Sequence, residues 1–304
     1  MDIWRPVSGA ETTARTEPAV VVIGKFDGVH RGHQYLISQA HAVSDGLEVV
    51  AVTFDPNPLA VTAPDKLQPQ LTDLELRVDL LKKAGADRVY VLAFTSDMAA
   101  LTPAEFVQKV LIEQLRTAHL VVGEDFRFGS KAAGDVDFLR TFDFDVTGLI
   151  RAGDEKPWSS TNVRAALAAG DVAKANEILG REFCVKGIVQ RGDARGRELG
   201  YPTANLSIEP KYAVPADGIY AGWAQWDGER HPAAISVGTN PTFGGTERRI
   251  EAYVLDETPD LYGKTLKISF VAHLRGQVTF SDPSELIAQM DSDIAATKSA
   301  LGLG

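Results

Sequence analysis

In the first half of the chain, short and fully apolar runs alternate with stretches whose apolar residues recur every three or four positions. The runs at 19–24, 47–54, 88–94, 119–123 and 145–150 read as buried β-strands. Between them, Thr72-Asp73-Leu74-Glu75 and Thr102-Pro103-Ala104-Glu105 are capping boxes that open helices, the second with proline at the first helical position. Leu76, Leu80, Leu81 and Ala84 make one apolar helix face, and Phe106, Val107, Val110, Leu111 and Leu115 make another. Strand–helix alternation of this kind predicts a parallel sheet covered by helices on both faces, with ligands at the carboxyl ends of the strands.

The pattern changes in the second half. Two short helices are predicted at 161–169, stopped by Gly170, and at 171–179, capped by Asp171 and stopped by Gly180. From 181 onward short β-runs follow at 183–190, 218–226, 230–238, 249–256 and 264–274, with Asp227-Gly228 as a two-residue hairpin signal. They predict a small antiparallel barrel or sandwich. A last helix opens at Asp282-Pro283-Ser284-Glu285 and buries Leu286, Ile287, Met290 and Ile294. The change of texture divides the chain into domains 1–182 and 183–304, and residues 1–17 read as a loose polar start.

The 304 residues suffice for two cores, and 44% hydrophobic with 24% charged content describes a soluble globular chain. Lysine and arginine number 31 against 41 acidic residues, a net charge of −10, which argues against a nucleic-acid partner. Small anions remain compatible, because a few local cations and helix termini reverse the field inside a cleft. The single cysteine, Cys184 between Phe183 and Val185, excludes a disulfide framework or cysteine metal site and reads as inert core. No apolar run approaches a membrane span, and Asp2, Arg5 and Pro6 break any signal segment, so the expectation is a cytoplasmic protein.

Residues 24–33, GKFDGVHRGH, follow the first strand directly and lead into a helix. A glycine-bearing turn there aims backbone N–H groups and two imidazoles, His30 and His33, from a helix N-terminus, which suits phosphate. Gly32 between them lets a nucleotide approach the backbone. Two surface histidines on a turn would leave the run Gly24, Gly28 and Gly32 without a reason. Other polar groups gather at strand ends: Asp55 and Asn57 in TFDPNP (53–58), and Asp125 in GEDFRFG (123–129). Phe54, Pro56, Pro58, Phe126 and Phe128 offer flat walls for a planar ring, although aromatics at strand ends are more often plain core. Ser159, Ser160 and Thr161 open a helix with Arg164 one turn along; taken alone they read as an ordinary cap, together with the other segments as a phosphate site.

These segments resemble the bacterial bifunctional riboflavin kinase/FAD synthetase family. GKFDGVHRGH, TFDPNP, VVGEDFRFG (121–129) and SSTNVR (159–164) match its adenylyltransferase module in order and spacing. GIVQRGDARGRELGYPTANL (187–206), Pro215 to Tyr220, VGTNPTF (237–243) and IEAYVLD (250–256) match its kinase module. The resemblance implies an α/β Rossmann-like nucleotidyltransferase domain followed by a small antiparallel β-barrel with a C-terminal helix. It implies riboflavin and ATP as substrates of one step, giving FMN and ADP, and FMN with a second ATP as substrates of the other, giving FAD and pyrophosphate. Mg²⁺ is the implied cofactor.

Roles follow from the same resemblance. In the kinase step the 5′-hydroxyl of riboflavin is the nucleophile, and Glu251 stands where the family places the base that takes its proton. By pattern alone Glu251 would be a solvent-facing strand residue. Pro202, Thr203 and Asn205 of PTAN face the nucleotide, with Thr203 and Asn205 offering neutral oxygens to Mg²⁺. Gly187, Gly192 and Gly196 keep the preceding loop open, Arg195 and Arg197 are phosphate contacts or solvated charges, and Arg275 falls at the flavin end. In the adenylyl step FMN brings an ionised phosphate, so no base is needed and the site must supply positive potential. His30, His33, Ser160, Thr161 and Arg164 are the residues implied for that, with Gly24, Phe26, Asp27 and Gly32 around the same ATP. Phe54, Asn57, Asp125 and Phe128 fall on the FMN side. Departures from the family pattern are few: Lys25 in a variable slot, Tyr253 where a histidine is frequent, and Lys156 near an expected arginine. Three other readings stay open at this level: a single-activity enzyme whose barrel has lost catalysis, a tRNA- or RNA-handling protein, and a flavin-binding regulator without turnover. No membrane partner is expected, and a weak homo-oligomer is left open.

Overall fold

The computed structural model describes residues 4–150, 153, 157–191, 200–239, 248–280 and 282–303. The chain forms two compact units, Met1–Gln68 with Thr72–Ser159, and Pro69–Leu71 with Ser160–Gly304.

The first unit is built on five parallel strands: β1 (Ala19–Ile23), β2 (Glu48–Asp55), β3 (Arg88–Ala93), β4 (Thr117–Gly123) and β5 (Asp145–Leu149), in the order β3-β2-β1-β4-β5. Each lies within two residues of its predicted place. Alternation along the strands separates two cores. Val20, Val22, Val49 and Ala51 pack with Ile37 and Ala40 of α1 (Arg31–Ala42). Val21, Ile23, Val50 and Val52 pack on the other face with Phe106, Val110 and Leu111. Short helices α2 (Pro58–Thr62) and α4 (Ser96–Ala100), which periodicity over five residues cannot announce, flank α3 (Leu74–Lys83). The second capping box is formed as expected: Thr102 and Glu105 bond each other's backbone at the start of α5 (Pro103–Phe106), and the helix continues as a π-helical segment, Val107–Gln114. A single turn, α6 (Val136–Leu139), precedes β5. The order reverses at β1, which has β2 on one side and β4 on the other, and loops that leave β1 and β4 therefore open at a topological switch point.

The start of the chain is not loose. Trp4 is 5% exposed and packs against Tyr90, while Arg5 N–H and Glu11 N–H donate to Val91 O and Val89 O. Arg15 and Arg88 both reach Glu48, and Arg88 also reaches Glu11. This segment covers the outer edge of β3, which would otherwise present unpaired backbone to solvent. A polar sequence hid it because its anchors are backbone bonds, ion pairs and one indole.

In the second unit, α7 (Ser160–Ala168) and α8 (Val172–Leu179) lead into a closed barrel ordered β10-β7-β6-β11-β8-β9. Its strands are β6 (Phe183–Gln190), β7 (Ala204–Ser207), β8 (Gly218–Trp226), β9 (Glu229–Thr239), β10 (Arg248–Val254) and β11 (Thr265–Arg275), followed by α9 (Pro283–Ala300). Asp227 and Gly228 both take positive φ, as the predicted two-residue hairpin requires. Cys184 is buried, as expected of a core thiol. The strand missed by sequence is β7, four residues that begin within the PTAN segment and run past it, and it is what closes the barrel between β6 and β10.

The helices before the barrel belong to its packing. Val172, Ala175, Ile178 and Leu179 of α8 are buried, and Asn176 accepts from Phe183 N–H and donates to Phe270 O. We therefore place the barrel's folding unit at 160–304 rather than at the change of texture near 183. A fragment of residues 160–304 is expected to unfold in one cooperative transition. A fragment of 183–304 should be weaker by several kcal/mol, roughly the burial of those four side chains. Thermal melts by circular dichroism compare them, and equal stability would move the boundary back to 182.

Candidate active sites

The turn after β1 is strained and enclosed. Phe26, Gly28 and Val29 have φ of 49°, 86° and 40°, a region that costs non-glycine residues energy. Burial of Phe26 and Val29 holds them there. Three side chains brace the turn: Thr53 Oγ1 donates to Lys25 O at 3.0 Å, Thr72 Oγ1 accepts from Gly28 N–H at 3.4 Å, and Gln34 Nε2 donates to Val29 O at 2.9 Å. His30 then takes an extended conformation before α1 without capping the helix through its side chain. The first N–H groups of α1 are the orphan donors that an anion can satisfy.

The two imidazoles lie face to face, 3.7 Å between centroids, with the edge of Phe26 against His33. His30 is 6% exposed, and His33 Nδ1 has no hydrogen-bond partner among the described residues. Burial, then the charges of His30 and Arg77, push the His33 pKa well below its ordinary value. Burial thus works against the charged form of His33 from which positive potential was expected. Asp27 is buried beside them in sequence. At Gly32 a Cβ would stand 2.9 Å from Trp158 O and 3.1 Å from the His30 ring, so the chain itself, not only a nucleotide, demands glycine here. Gly24 is less constrained, with only ordinary contact to Phe26.

Other first-unit residues have additional occupations. Phe54 and Phe128 are core residues, and Phe126, stacked on Phe128 and only partly buried, is the aromatic of its motif with accessible surface. Asn57 Oδ1 accepts from Leu59 N–H and caps α2, so Nδ2 is its remaining polar atom. Asp55 is ion-paired with Arg5. Asp125 stands in the turn after β4, where Phe126 N–H donates to Gly123 O. Ser160, Thr161 and Arg164 lie in α7 of the second unit, and Arg164 Nε donates to Pro69 O at 2.7 Å.

In the barrel, antiparallel register places Glu251 of β10 directly across from Asn205 of β7 on one side and Ser236 of β9 on the other. Thr203 Oγ1 donates to Glu251 Oε2 at 3.4 Å. Thr203 lines two cavities. One, of about 350 Å³, is walled by Pro202, Ala204, Asp260 and Tyr262; the other, of about 290 Å³, by Glu251, Tyr253, Arg275, Phe280 and Met290. Glu251 is therefore not the solvent-facing strand residue that pattern alone suggests. Arg275 is held by a two-pronged pair to Asp293 of α9, at 2.9 and 2.6 Å. Tyr253 packs against Tyr201, whose hydroxyl donates to Asp291 Oδ1.

Gly187 corrects an expectation. It sits inside β6, paired with Leu266, and a Cβ there would meet Ser207 O and Ile208 Cδ1 at 2.7 Å. It serves barrel closure and not an open phosphate loop. Gly192, Gly196, Arg195, Arg197 and Lys156 lie outside the described residues. Sequence reasoning missed Asp293 and Arg77. Asp293 could have been found as an acid set between Met290 and Ile294 on the apolar face of the last helix.

The FAD synthetase family model matches residues 12–160, and the riboflavin kinase family model matches residues 179–301. The chain is 36% identical over 288 residues to the bifunctional riboflavin kinase/FMN adenylyltransferase of Listeria monocytogenes, covering 92% of this chain and 91% of that protein. The protein of the same name from Escherichia coli is 36% identical over 304 residues, covering 95% of each. The solved structure of a macrolide-efflux protein from Streptococcus pneumoniae superposes with a TM-score of 0.86 at 34% identity, covering 94% of this chain and 95% of that one. Among the described residues here no helix is long and apolar enough to cross a membrane. With both halves matched and relatives alike over nearly their full length, the chain belongs to the bifunctional riboflavin kinase/FMN adenylyltransferase family.

Proposed function

We propose that Glu251 and the 24–33 turn are the centres of the chain's two activities, riboflavin phosphorylation and FMN adenylylation. The observation that carries the first is the position of Glu251 in the wall of one of two cavities, within hydrogen-bonding distance of Thr203, the residue that lines both. Riboflavin fills the cavity walled by Phe280 and Met290, ATP the one walled by Pro202 and Tyr262, and Glu251 takes the 5′-hydroxyl proton as that oxygen attacks the γ-phosphate. Among the described residues no cluster of three or more His, Cys, Asp or Glu could hold a metal. Thr203 Oγ1 and Asn205 Oδ1 fit Mg²⁺ bound chiefly by ATP phosphates, the usual arrangement for this ion in phosphoryl transfer. Mg²⁺, when bound, neutralises phosphate charge. The Thr203 and Asn205 oxygens orient the triphosphate toward the hydroxyl.

In the adenylyl step the phosphate of FMN attacks the α-phosphate of ATP and pyrophosphate leaves. Its nucleophile is already an anion, so the site works by positioning. The N–H groups opening α1, together with His30 and His33, hold the ATP phosphates. Asp125 and Phe126 serve the flavin side. The test is direct: full-length protein with Mg²⁺-ATP and either riboflavin or FMN, followed by chromatography of the flavins. Riboflavin should yield FMN and then FAD, and FMN should yield FAD. FMN as the sole product would refute the second activity, and FAD from FMN alone would refute the first.

A further inference from the structure

Arg77 departs most from what its helix face predicts. The expected apolar face of α3 is Leu76, Leu80, Leu81 and Ala84, yet Arg77, Val78 and Leu81 are the buried residues, and Arg77 is 3% exposed. Its Nη1 donates to Phe54 O at 3.1 Å and to Thr53 Oγ1 at 3.4 Å. Thr53 Oγ1 in turn donates to Lys25 O, so a line of hydrogen bonds runs from α3 through the carboxyl end of β2 into the 24–33 turn. A methionine or leucine would fill this place without the cost of desolvating a cation. Retention of a charge there needs a use for the charge.

We propose that Arg77 is a positioning residue for adenylyl transfer, a buried guanidinium that locks the end of β2 to the 24–33 turn and supplies permanent positive charge within reach of His33. The inference rests on the assignment of that turn to the adenylyl site. A guanidinium cannot lose its proton, whereas burial works against the charged form of His33. In a chain of net charge −10, a cation inside the fold is screened by salt less than a surface one and keeps its charge at any pH. The groups that bear electrically on His33 are Arg77 from α3 and His30 from its own turn, with Asp27 the buried acid of that turn.

The experiment uses full-length Arg77→Met and Arg77→Lys. It reads FMN adenylylation (kcat and KM for ATP), the NMR titration of His33, and circular dichroism for folding. Arg77→Met should raise the His33 titration midpoint and lower kcat/KM for adenylylation by about tenfold or more, with the riboflavin kinase rate unchanged. Arg77→Lys should restore the midpoint but only part of the rate, because an ammonium cannot reproduce the planar fork. A folded Arg77→Met with wild-type adenylylation, or with an unmoved His33 midpoint, overturns the proposal. If Arg77→Met fails to fold, Arg77→Lys decides: a several-fold fall supports the proposal and unchanged kinetics overturn it. His30→Ala/His33→Ala in parallel separates the two claims. Full FAD synthesis by that variant removes the site assignment itself, whereas its loss beside an unaffected Arg77→Met refutes Arg77 alone.

Discussion

Glu251→Gln is expected to slow riboflavin phosphorylation by roughly two to four orders of magnitude, the usual range for loss of a general base. Glutamine keeps the volume of the side chain and can still meet Thr203 Oγ1, but it cannot accept a proton. Glu251 lies on a strand with neighbours on both sides, opposite Asn205 and Ser236, so the substitution has no loose backbone to disturb. The fall should appear in kcat with KM for riboflavin and ATP nearly constant, because the carboxylate matters mainly as the proton moves. FAD formation from supplied FMN should be untouched. Full kinase activity in the variant would hand the proton to another group, and loss of adenylylation would show the roles misassigned.

His30→Ala together with His33→Ala is expected to leave riboflavin phosphorylation intact and stop the flavin at FMN. The stacked rings offer N–H donors to phosphate, and replacing both with methyl groups opens the turn beside Phe26 to water. Near wild-type FAD synthesis would sink the assignment. The same variant carries a pH signature. A histidine whose folded pKa is depressed binds fewer protons than the unfolded chain, so its contribution to stability is present above the ordinary value of 6.5 and is lost as pH falls below it. Melts of the wild type between pH 7.5 and 5.5 should therefore show an acid-side loss of stability that the double variant reduces. An identical acid dependence in both would place the burden on other groups.

What the sequence showed and hid divides by the range of the interactions involved. Strands of the parallel sheet were legible because burial on both faces leaves a continuous apolar run, as in Ala19–Ile23, where every residue is buried. The hairpin at Asp227-Gly228 was legible because its chemistry is local. The short strand β7 was not, since Ala204–Ser207 owes its pairing to β6 and β10. Gly32 and Gly187 were recognised as special for a reason that the packing revises: the atoms that forbid a side chain come from Trp158 and Ser207, 126 and 20 residues away. Trp4 and Arg77 were invisible for the same cause, because nothing adjacent to either residue reports the strand it bonds. Of the site, the motif positions were readable, whereas the partners that hold them (Thr72 on the turn, Asp293 on Arg275) required the fold.

The double burial of β1 has a consequence for how the molecule breathes. Val20 and Val22 belong to one core, Val21 and Ile23 to the other, and this strand runs directly into the turn that follows. Amide protons of β1 can meet solvent only when both layers part, which is the costliest opening available to the unit. The turn is thus fastened to a strand expected to exchange among the slowest of the first unit. A change of volume at any of four consecutive positions, whichever layer it faces, is transmitted along one rigid strand to Gly24 and the residues beyond it.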